Sequence, residues 1–485
     1  MDILFATSEL APFVKVGGLA DVAAALPKAL RALGHKVTIV LPRYAALESA
    51  GLMFARRLSP LKFSLGDRSV EATLYDGRLS AQVDLILVDI PGLYDRAGVY
   101  GERGEDYADN ALRFASFSRA VAEIAKTAAE QGAPYAVVHA NDWPTALVTT
   151  FVRMLRVDAP ALDATRTLLS LHNVAHQGVF PKEMLPTLGL GWGAFNPEGI
   201  EFYGKCNVLK QGILSADALT TVSPTYAREL QTEASGHGLH GVLAARKGVL
   251  TGIANGVDYS VWNPAVDPAI AARFDAEDAA NKHRCKGALQ RELGLPLEPH
   301  EPLIVSVGRL VHQKGTDLVA EILPALMRGS SAQVAIAGDG DEALATALTS
   351  AVEKCHGRAV FVRAAEESVV HRMFAAADLV LVPSRYEPCG LVQMYAQRYG
   401  APPVVRATGG LIDSVVDCDS ALETGTGFTF AEDSAEALLG ATLRGISATT
   451  TPAWSKLVRR VMKLDRSWDG PARRYEQVLK SLIAR

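Results

Sequence analysis

The chain has 485 residues, 49% of them apolar, and its 49 Lys and Arg against 53 Asp and Glu give a formal net charge of −4. Because single cores stop growing at about 250–300 residues, we expect two or three domains. The charge balance argues against nucleic acid or an anionic membrane as the main partner. No apolar run reaches the roughly 18 residues of a transmembrane helix.

The N-terminus and the cysteines predict where the protein works. The chain opens directly with an apolar strand, Asp2–Thr7, and lacks the charged start and long apolar segment of a signal peptide. Its five cysteines are widely spaced and form no C-x-x-C pair. These features favour a reduced, cytosolic setting.

The first 250 residues predict a mostly parallel, doubly wound sheet. Helix Gly18–Leu33, ended by Gly34, and strand Lys36–Leu41 complete a β-α-β unit with the first strand. Alternating runs and turn residues over 52–90 predict added hairpins. Helices and strands then alternate again. The helices are predicted at Asp109–Glu130, Lys205–Ala216 and Thr225–Gln231, and the strands at Ala136–His139, Thr167–His172 and Ala218–Val222.

The remaining residues predict a second domain of the same class. The segment Thr251–Pro264 is rich in turn formers and is the predicted joint. A polar helix is expected near Asp275–Leu293. We therefore predict an N-terminal domain over 1–250, a joint over 251–264, a second doubly wound domain over 265–455 and an amphipathic helical tail over 456–485. The strands of the second domain are predicted at Leu303–Val307, Gln333–Ala337, Ala359–Val362, Leu379–Val382 and Pro403–Val405.

Polar and glycine-rich loops follow the predicted strands in both halves of the chain. Ligands of open α/β sheets bind outside the carboxyl ends of the strands. We therefore expect one crevice assembled from two sheets, which suits an enzyme with a large, two-part substrate. The loops are Lys15-Val-Gly-Gly18, His139-Ala-Asn-Asp-Trp143, His172-Asn173, Arg309 to Lys314, Gly338-Asp-Gly-Asp341, Glu387-Pro-Cys-Gly390 and Thr408-Gly-Gly410.

Some of these loops have the composition of a phosphate site. The backbone N–H groups of the two glycine pairs, Gly17-Gly18 and Gly409-Gly410, could cradle a phosphate. The side chains of Arg309 and Lys314 could hold its oxygens. Asp21, in the first turn of its helix, could complement the helix dipole. The alternatives are plain strand–helix turns and, for the two cations, salt bridges with local carboxylates.

Two further side chains suggest chemistry on a sugar. Glu387 is fixed by the proline that follows it, and its carboxylate could accept hydrogen bonds from hydroxyls or stabilise a positive sugar carbon. His172 ends a strand and could hydrogen-bond a hydroxyl. The alternatives are a capping carboxylate and a structural histidine.

Other chemistries lack their sequence signatures. The pairs His172/His176 and His237/His240 have no further ligand at a convincing spacing, and turn chemistry explains Asp339-Gly-Asp341. We expect no metal and no cofactor. The loop after the first strand, Lys15-Val-Gly-Gly18, is neither a G-x-G-x-x-G nor a Walker A loop, which argues against a nicotinamide enzyme and a P-loop protein. The chain has no G-x-S-x-G segment, which argues against an α/β-hydrolase.

Taken together, seven segments in order along nearly the whole chain resemble those of bacterial glycogen synthases and plant starch synthases. Each segment alone would be a weak signal, but the ordered set is specific. The segments are Ser8–Asp21, His139–Trp143, Leu171–Asn173, Asn255–Asp258, Gly308–Leu310 with Gln313–Gly315, Ser384–Leu391 and Thr408–Leu411.

The resemblance implies a fold and an activity. The fold is GT-B, in which two Rossmann-like domains face a deep interdomain cleft and a C-terminal helix, here 456–485, crosses back to the first domain. The activity is transfer of glucose from ADP-glucose to the non-reducing end of an α-1,4-glucan such as glycogen, with retention at the anomeric carbon. The donor and the glucan are the implied partners.

The resemblance also implies site residues. Glu387 would contact the glucose, His172 its 6-hydroxyl region, and Asp142 the acceptor side, as the catalytic set. Substrate binding would fall to Lys15, Gly17, Gly18, Asp21, Asn255, Arg309, Lys314, Cys389, Gly390, Thr408, Gly409 and Gly410.

Three positions depart from related sequences. Val16 replaces the usual threonine of the first glycine loop, and Asn141 replaces a histidine often seen before the aspartate–tryptophan pair. Tyr395 stands where other retaining transferases have a second glutamate, as is usual in the glycogen and starch synthase subgroup. The competing interpretations are a related retaining transferase that uses UDP-glucose or a small acceptor, and a non-catalytic glucan-binding protein.

Overall fold

The computed structural model describes residues 1–49, 51–79, 83–102 and 104–484. The chain divides into two compact units. Unit 1 comprises Met1–Gly256 and the segment from Trp468 to the C-terminus, and unit 2 comprises Val257–Ser467.

The helices and strands of unit 1 between Met1 and Gly256 are β1 (Asp2–Ala6), α1 (Gly18–Ala32), β2 (Lys36–Pro42), β3 (Phe54–Arg56), β4 (Leu61–Leu65), β5 (Arg68–Arg78), β6 (Asp84–Asp89), β7 (Gly101–Glu102), β8 (Glu105–Asp106), α2 (Asn110–Glu130), β9 (Val137–Asn141), α3 (Trp143–Leu155), β10 (Arg166–Leu171), β11 (Val179–Pro181), β12 (Glu201–Phe202), β13 (Lys205–Asn207), α4 (Val208–Ser215), β14 (Ala218–Thr221), α5 (Pro224–Glu229), α6 (His240–Ala245) and β15 (Leu250–Gly252). Unit 2 then contains α7 (Lys282–Leu293), β16 (Leu303–Val307), α8 (Thr316–Gly329), β17 (Gln333–Gly338), α9 (Glu342–Glu353), β18 (Ala359–Arg363), α10 (Glu367–Ala376), β19 (Leu379–Val382), α11 (Val392–Arg398), β20 (Pro403–Arg406), α12 (Gly409–Ser414), β21 (Phe428–Phe430), α13 (Ala435–Thr449) and α14 (Trp454–Met462). The chain returns to unit 1 with α15 (Asp469–Ile483).

Unit 1 is built around a sheet with the order β15-β14-β10-β9-β1-β2-β6-β5-β3. The pairings from β15 to β6 are parallel, and β5 joins β6 antiparallel. The chain moves from β1 to β2 on one side and later to β9 on the other, so the strand order reverses at β1/β9. Ligands of doubly wound sheets bind at such a switch point.

The centre of this sheet is buried on both faces. Ile3, Leu4 and Phe5 of β1 are fully buried, which explains the continuous apolar run that predicted the strand. The C-terminal α15 belongs to the same unit and buries Tyr475 and Leu479. The ring of Tyr475 lies 5.9 Å from that of His139 on β9, so the last helix packs close to the centre of the sheet.

Unit 2 is a parallel sheet with the order β18-β17-β16-β19-β20-β21. Its core includes Ile304, Val334 and Leu379 from three of the strands and Leu323 and Leu438 from two flanking helices. The chain goes from β16 outward to β18 and then returns to β19 on the other side. The switch point of this unit therefore lies between β16 and β19.

The prediction of two α/β units with mostly parallel sheets is confirmed, but several boundaries differ. The polar helix expected from Asp275 begins at Lys282, because the Asp275 carboxylate accepts the backbone N–H groups of Glu277 and Asp278 and closes a turn. The helix expected from Lys205 begins at Val208, after the short strand β13. Strand β21 was not predicted.

The two crossings between the units also differ in position from the sequence-based boundaries. The expected joint at 251–264 begins inside β15, which pairs with β14 in the sheet of unit 1. The expected single helix at 456–485 is two helices, α14 in unit 2 and α15 in unit 1. The two crossing segments pair with each other in unit 2, where the N–H of Val257 donates to the carbonyl of Arg466 at 2.6 Å. Within the described residues, no helix is both long and apolar enough to cross a membrane.

Candidate functional site

The Lys15 loop (Lys15–Gly18) follows β1 at the switch point of unit 1. The Lys15 ammonium lies 2.9 Å from the carboxylate of Asp21 on the first turn of α1, so two of the predicted binding residues form an ion pair. A Cβ added to Gly17 would meet no atom within 4 Å, and Val16 is 42% exposed. The loop therefore has open space beside its backbone and one cation.

Two backbone N–H groups of this loop have partners within the fold. Those of Val16 and Gly17 both donate to Oε2 of Glu9 at 2.8 Å. In this conformation the Gly17 amide therefore donates to a buried carboxylate, and the expected role of Gly17 in substrate binding stays a prediction. The Lys15 ammonium is the charged group of this loop, and its role toward an anion stays a prediction.

Asp142 follows β9, on the other side of the switch point. Its backbone has φ +56° and ψ −176°, a region that only glycine adopts readily, at a cost of about 1–3 kcal/mol for other residues. Its Oδ1 accepts the backbone N–H groups of His172 at 2.7 Å and Asn173 at 3.4 Å. Burial of the carboxyl raises the pKa of Asp142 to about 7, with a smaller contribution from the charge of Glu9. A strained backbone and a side chain with a raised pKa at the same residue are typical of functional positions.

The structure brings His172 into contact with Asp142 and determines its protonation. Burial lowers the pKa of His172 to about 3, so the ring is neutral at physiological pH. Its Nε2 lies 2.9 Å from Oδ1 of Asn141, and the amide nitrogen of Asn141 donates to the carbonyl of Ala6. Nε2 therefore carries the proton, and Nδ1 is the acceptor. A neutral imidazole with an accepting nitrogen suits a sugar hydroxyl rather than a phosphate.

Asn255 lies beyond the end of β15 in the same unit. It is 8% exposed, and among the described residues its Oδ1 has no hydrogen-bond partner. Buried polar atoms without partners are uncommon in folded proteins and need an explanation, such as a ligand. The structure shows no hydrogen bond between Asn255 and the other predicted residues of the described chain.

The centre of the site in unit 2 is an ion pair across the β16/β19 switch point. The Lys314 ammonium follows β16 and lies 2.5 Å from Oε2 of Glu387, which follows β19. The hydroxyl of Ser384 donates to the same oxygen at 2.9 Å. The Glu387 side chain is only 7% exposed. In the described part of the chain no third donor reaches this carboxylate, so Oε1 is the oxygen left for another hydroxyl.

Arg309 follows β16 in the same unit but takes no part in this ion pair. The residue is exposed, and no hydrogen bond or ion pair of its guanidinium is found within the described residues. Burial raises the pKa of Tyr386, the neighbour of Glu387, and the positive charge of Arg309 acts in the opposite direction on that pKa. A guanidinium near the switch point that no described carboxylate neutralises is well suited to a phosphate.

The glycines of unit 2 allow two loops to pack closely. A Cβ on Gly410 would lie 2.3 Å from the backbone of Cys389, and the Gly410 N–H donates to the carbonyl of Glu387 at 2.9 Å. Gly390 and Gly409 have φ values of +73° and +47°. The Gly410 amide is therefore occupied within the fold, which differs from the expected phosphate cradle. Thr408 precedes α12, with 9% of its surface exposed.

Tyr395, at the position of the second glutamate in other retaining transferases, is a core residue. It is 7% exposed, and its ring stacks on Trp262 with 4.1 Å between centroids and 11° between planes. His371 stacks on the opposite side of Trp262 at 3.9 Å. The side chain at this position therefore anchors the segment that follows Gly256.

Sequence reasoning missed Glu9 and Ser384 as residues of the two sites. Both lie in segments that carry the family resemblance, but only the fold shows that Glu9 holds the Lys15 loop and that Ser384 holds Glu387. Among the described residues, no group of three or more His, Cys, Asp or Glu side chains is placed to hold a metal ion.

Two parallel-sheet units with charged loops at their switch points define a two-domain α/β glycosyltransferase. Comparison with known proteins gives the same class. The starch synthase catalytic domain family matches residues 2–245, and the group 1 glycosyl transferase family matches residues 294–447.

The relatives are full-length matches. The glycogen synthase of Anaeromyxobacter dehalogenans (strain 2CP-1) is 44% identical over 484 residues, 99% of each chain. That of Paracidovorax citrulli is 44% identical over 98% of this chain and 94% of its own. The catalytic domain of starch synthase IV from Arabidopsis thaliana, solved with ADP and acarbose, superposes with a TM-score of 0.91 at 32% identity, covering 100% of this chain and 99% of its own. The chain belongs to the glycogen and starch synthase family of glycosyltransferases.

Proposed function

We propose that the protein elongates an α-1,4-glucan such as glycogen by transferring glucose from ADP-glucose to its non-reducing end, with retention at the anomeric carbon. The observation that carries the proposal is the Lys314–Glu387 pair at the switch point of unit 2, with Arg309 nearby. The ends of β16 and β19 thus bring a cation suited to a diphosphate beside a fixed carboxylate suited to a sugar.

The residues of unit 2 suit the donor. An ammonium has three N–H donors, so Lys314 can keep its contact with Glu387 and still donate to phosphate oxygens. Arg309 adds a second cation, and the two offset the negative charge that develops on the leaving ADP. Oε1 of Glu387 can accept a hydroxyl hydrogen of the glucose or face the positive charge on its anomeric carbon.

The residues of unit 1 suit hydroxyl-rich groups. Nδ1 of His172 accepts a hydroxyl hydrogen, and the neutral ring adds no charge beside the sugar. Asn255 offers a buried amide oxygen, and the Asp142 carboxylate lies next to His172. Lys15 is proposed to approach the sugar nucleotide through its side chain, with Asp21 as its resting partner.

Retention is proposed to occur by same-face substitution. Burial raises the pKa of the Cys206, Cys285, Cys355 and Cys418 thiols, so none of these four has the environment of an activated nucleophile. The chain's own contribution is to hold the diphosphate, orient the glucose and stabilise developing charge. The cytosolic setting predicted from the cysteine pattern stays a prediction.

The decisive experiment is a donor comparison. Purified protein is assayed with glycogen and either ADP-glucose or UDP-glucose, and the anomeric configuration of the new linkage is read by NMR. We expect turnover with ADP-glucose, an α-linked product and loss of about 100-fold or more in Lys314→Ala. The matched control is Lys463→Ala, whose lysine pairs with exposed Glu277. Preference for UDP-glucose, or glycogen binding without ADP release, would refute the proposal.

A further inference from the structure

We propose that Glu9 is a positioning residue that, with Tyr100, holds the Lys15 loop in the conformation needed for donor binding. This inference rests on the proposed function, because it assigns the loop to the sugar nucleotide. It concerns a buried carboxylate that none of the catalytic steps above uses.

The hydrogen bonds of Glu9 are divided between the loop and a distant segment. Its Oε2 accepts the N–H groups of Val16 and Gly17, both at 2.8 Å, and its Oε1 accepts the hydroxyl of Tyr100 at 2.7 Å. The Tyr100 oxygen also lies 2.8 Å from the hydroxyl of Ser8. The carboxylate thus closes the Lys15 loop onto a residue 91 positions away in the chain.

The environment of Glu9 shows that this contact is costly to build. The residue is 4% exposed, and within the described chain no cation pairs with it. A buried carboxylate is tolerated only when hydrogen bonds replace its hydration, and here two amides and a phenol do so. Bringing two successive amides to one oxygen bends the backbone around it, so the conformation of the loop depends on this group.

Tyr100 connects the loop to the neighbouring part of the site. Its ring lies 6.3 Å from that of Trp143, the residue after Asp142, and 5.8 Å from that of Phe114. The charge of Glu9 also contributes to the raised pKa of Asp142. The loop after β1 and the loop after β9 are therefore held to one another through Glu9 and Tyr100, on the two sides of the switch point.

The consequence is that Lys15 is presented from a fixed backbone. The loop beside Gly17 borders open space, and a mobile loop there would spread the Lys15 ammonium over many positions. A misplacement of about 1 Å at such a site can lower the rate about 100-fold. Glu9 is thus expected to act through Lys15, without touching the substrate.

The test is a double-variant cycle in the intact protein. We expect Glu9→Ala to lower kcat/KM for ADP-glucose about 100-fold, mainly through KM, and Tyr100→Phe about tenfold. Glu9→Gln keeps an oxygen for the two amides and should recover most of the activity. In the Lys15→Ala background, Glu9→Ala should have less than about a threefold further effect, because the group it positions is gone.

The matched control removes another buried phenol of unit 1. The hydroxyl of Tyr44 has no hydrogen-bond partner among the described residues, so Tyr44→Phe should change kcat/KM less than about twofold. Hydrogen exchange of the 10–18 segment gives a readout independent of catalysis. Protection there should be lost in Glu9→Ala and kept in Glu9→Gln.

The outcomes separate this inference from the proposed function. Additive effects of Glu9→Ala and Lys15→Ala, or unchanged exchange of the 10–18 segment in Glu9→Ala, would overturn the positioning role even if wild-type protein uses ADP-glucose. Absence of wild-type turnover would refute the proposed function, and the exchange measurement would still test Glu9. If Glu9→Ala does not fold, Tyr100→Phe combined with Lys15→Ala gives the same cycle.

Discussion

Lys314→Ala should weaken the fold as well as the chemistry. The substitution leaves the Glu387 carboxylate, 7% exposed, with Ser384 as its remaining donor among the described residues. Removing one partner of a buried ion pair costs about 3–5 kcal/mol. Because Lys314 is itself 24% exposed and the Ser384 hydrogen bond remains, we expect about 2–3 kcal/mol. For a domain of roughly 200 residues this lowers Tm by about 4–12 °C.

The assay is thermal unfolding of wild type, Lys314→Ala and the control Lys463→Ala at pH 8. The control breaks a pair whose side chains are 57% and 80% exposed and should shift Tm by less than about 2 °C. The double variant Lys314→Ala/Glu387→Gln should recover at least half of the lost stability while remaining inactive. Equal Tm values for Lys314→Ala and Lys463→Ala at pH 8 would refute the reasoning.

Four more substitutions test the site. Burial raises the pKa of Asp142 to about 7, so ionisation of this carboxyl destabilises the fold as pH rises through that value. Asp142→Asn should therefore raise Tm relative to wild type more at pH 8 than at pH 5. A difference in Tm that does not depend on pH would contradict this. Gly410→Ala forces a methyl group to 2.3 Å from the backbone of Cys389 and should lower Tm by several degrees. In Gly17→Ala the added methyl meets no atom within 4 Å, so Tm should stay unchanged while KM for the donor rises. Similar Tm values for the two variants would count against the close packing of the two loops of unit 2. Asn255→Ala removes a buried side-chain oxygen that has no hydrogen-bond partner among the described residues, so Tm should change by less than about 2 °C. The rate of glucose transfer to the glucan should fall about tenfold or more. An unchanged rate would argue against a contact between Asn255 and the substrate.

The sequence by itself determined the fold class, the order of the strands along the chain and the positions of the loops that follow them. These features depend on local patterns: apolar runs such as Ile3–Ala6 read as buried strands because both faces of a parallel sheet are covered. The family could be inferred as well, since its motifs are contiguous in the chain.

Only the tertiary structure decided which polar groups meet. Lys314 and Glu387 are 73 positions apart and Glu9 and Tyr100 are 91, and no periodicity relates such positions. For the same reason the sequence could not show that the amides of Gly17 and Gly410 have partners within the fold. Which nitrogen of His172 carries the proton depends on its contact with Asn141. The first part of unit 1 extends to Gly256 because β15 pairs with β14 in the sheet of that unit. Hydrogen bonds between distant segments are set by the assembled sheets, so they become visible only when the sheets are in place.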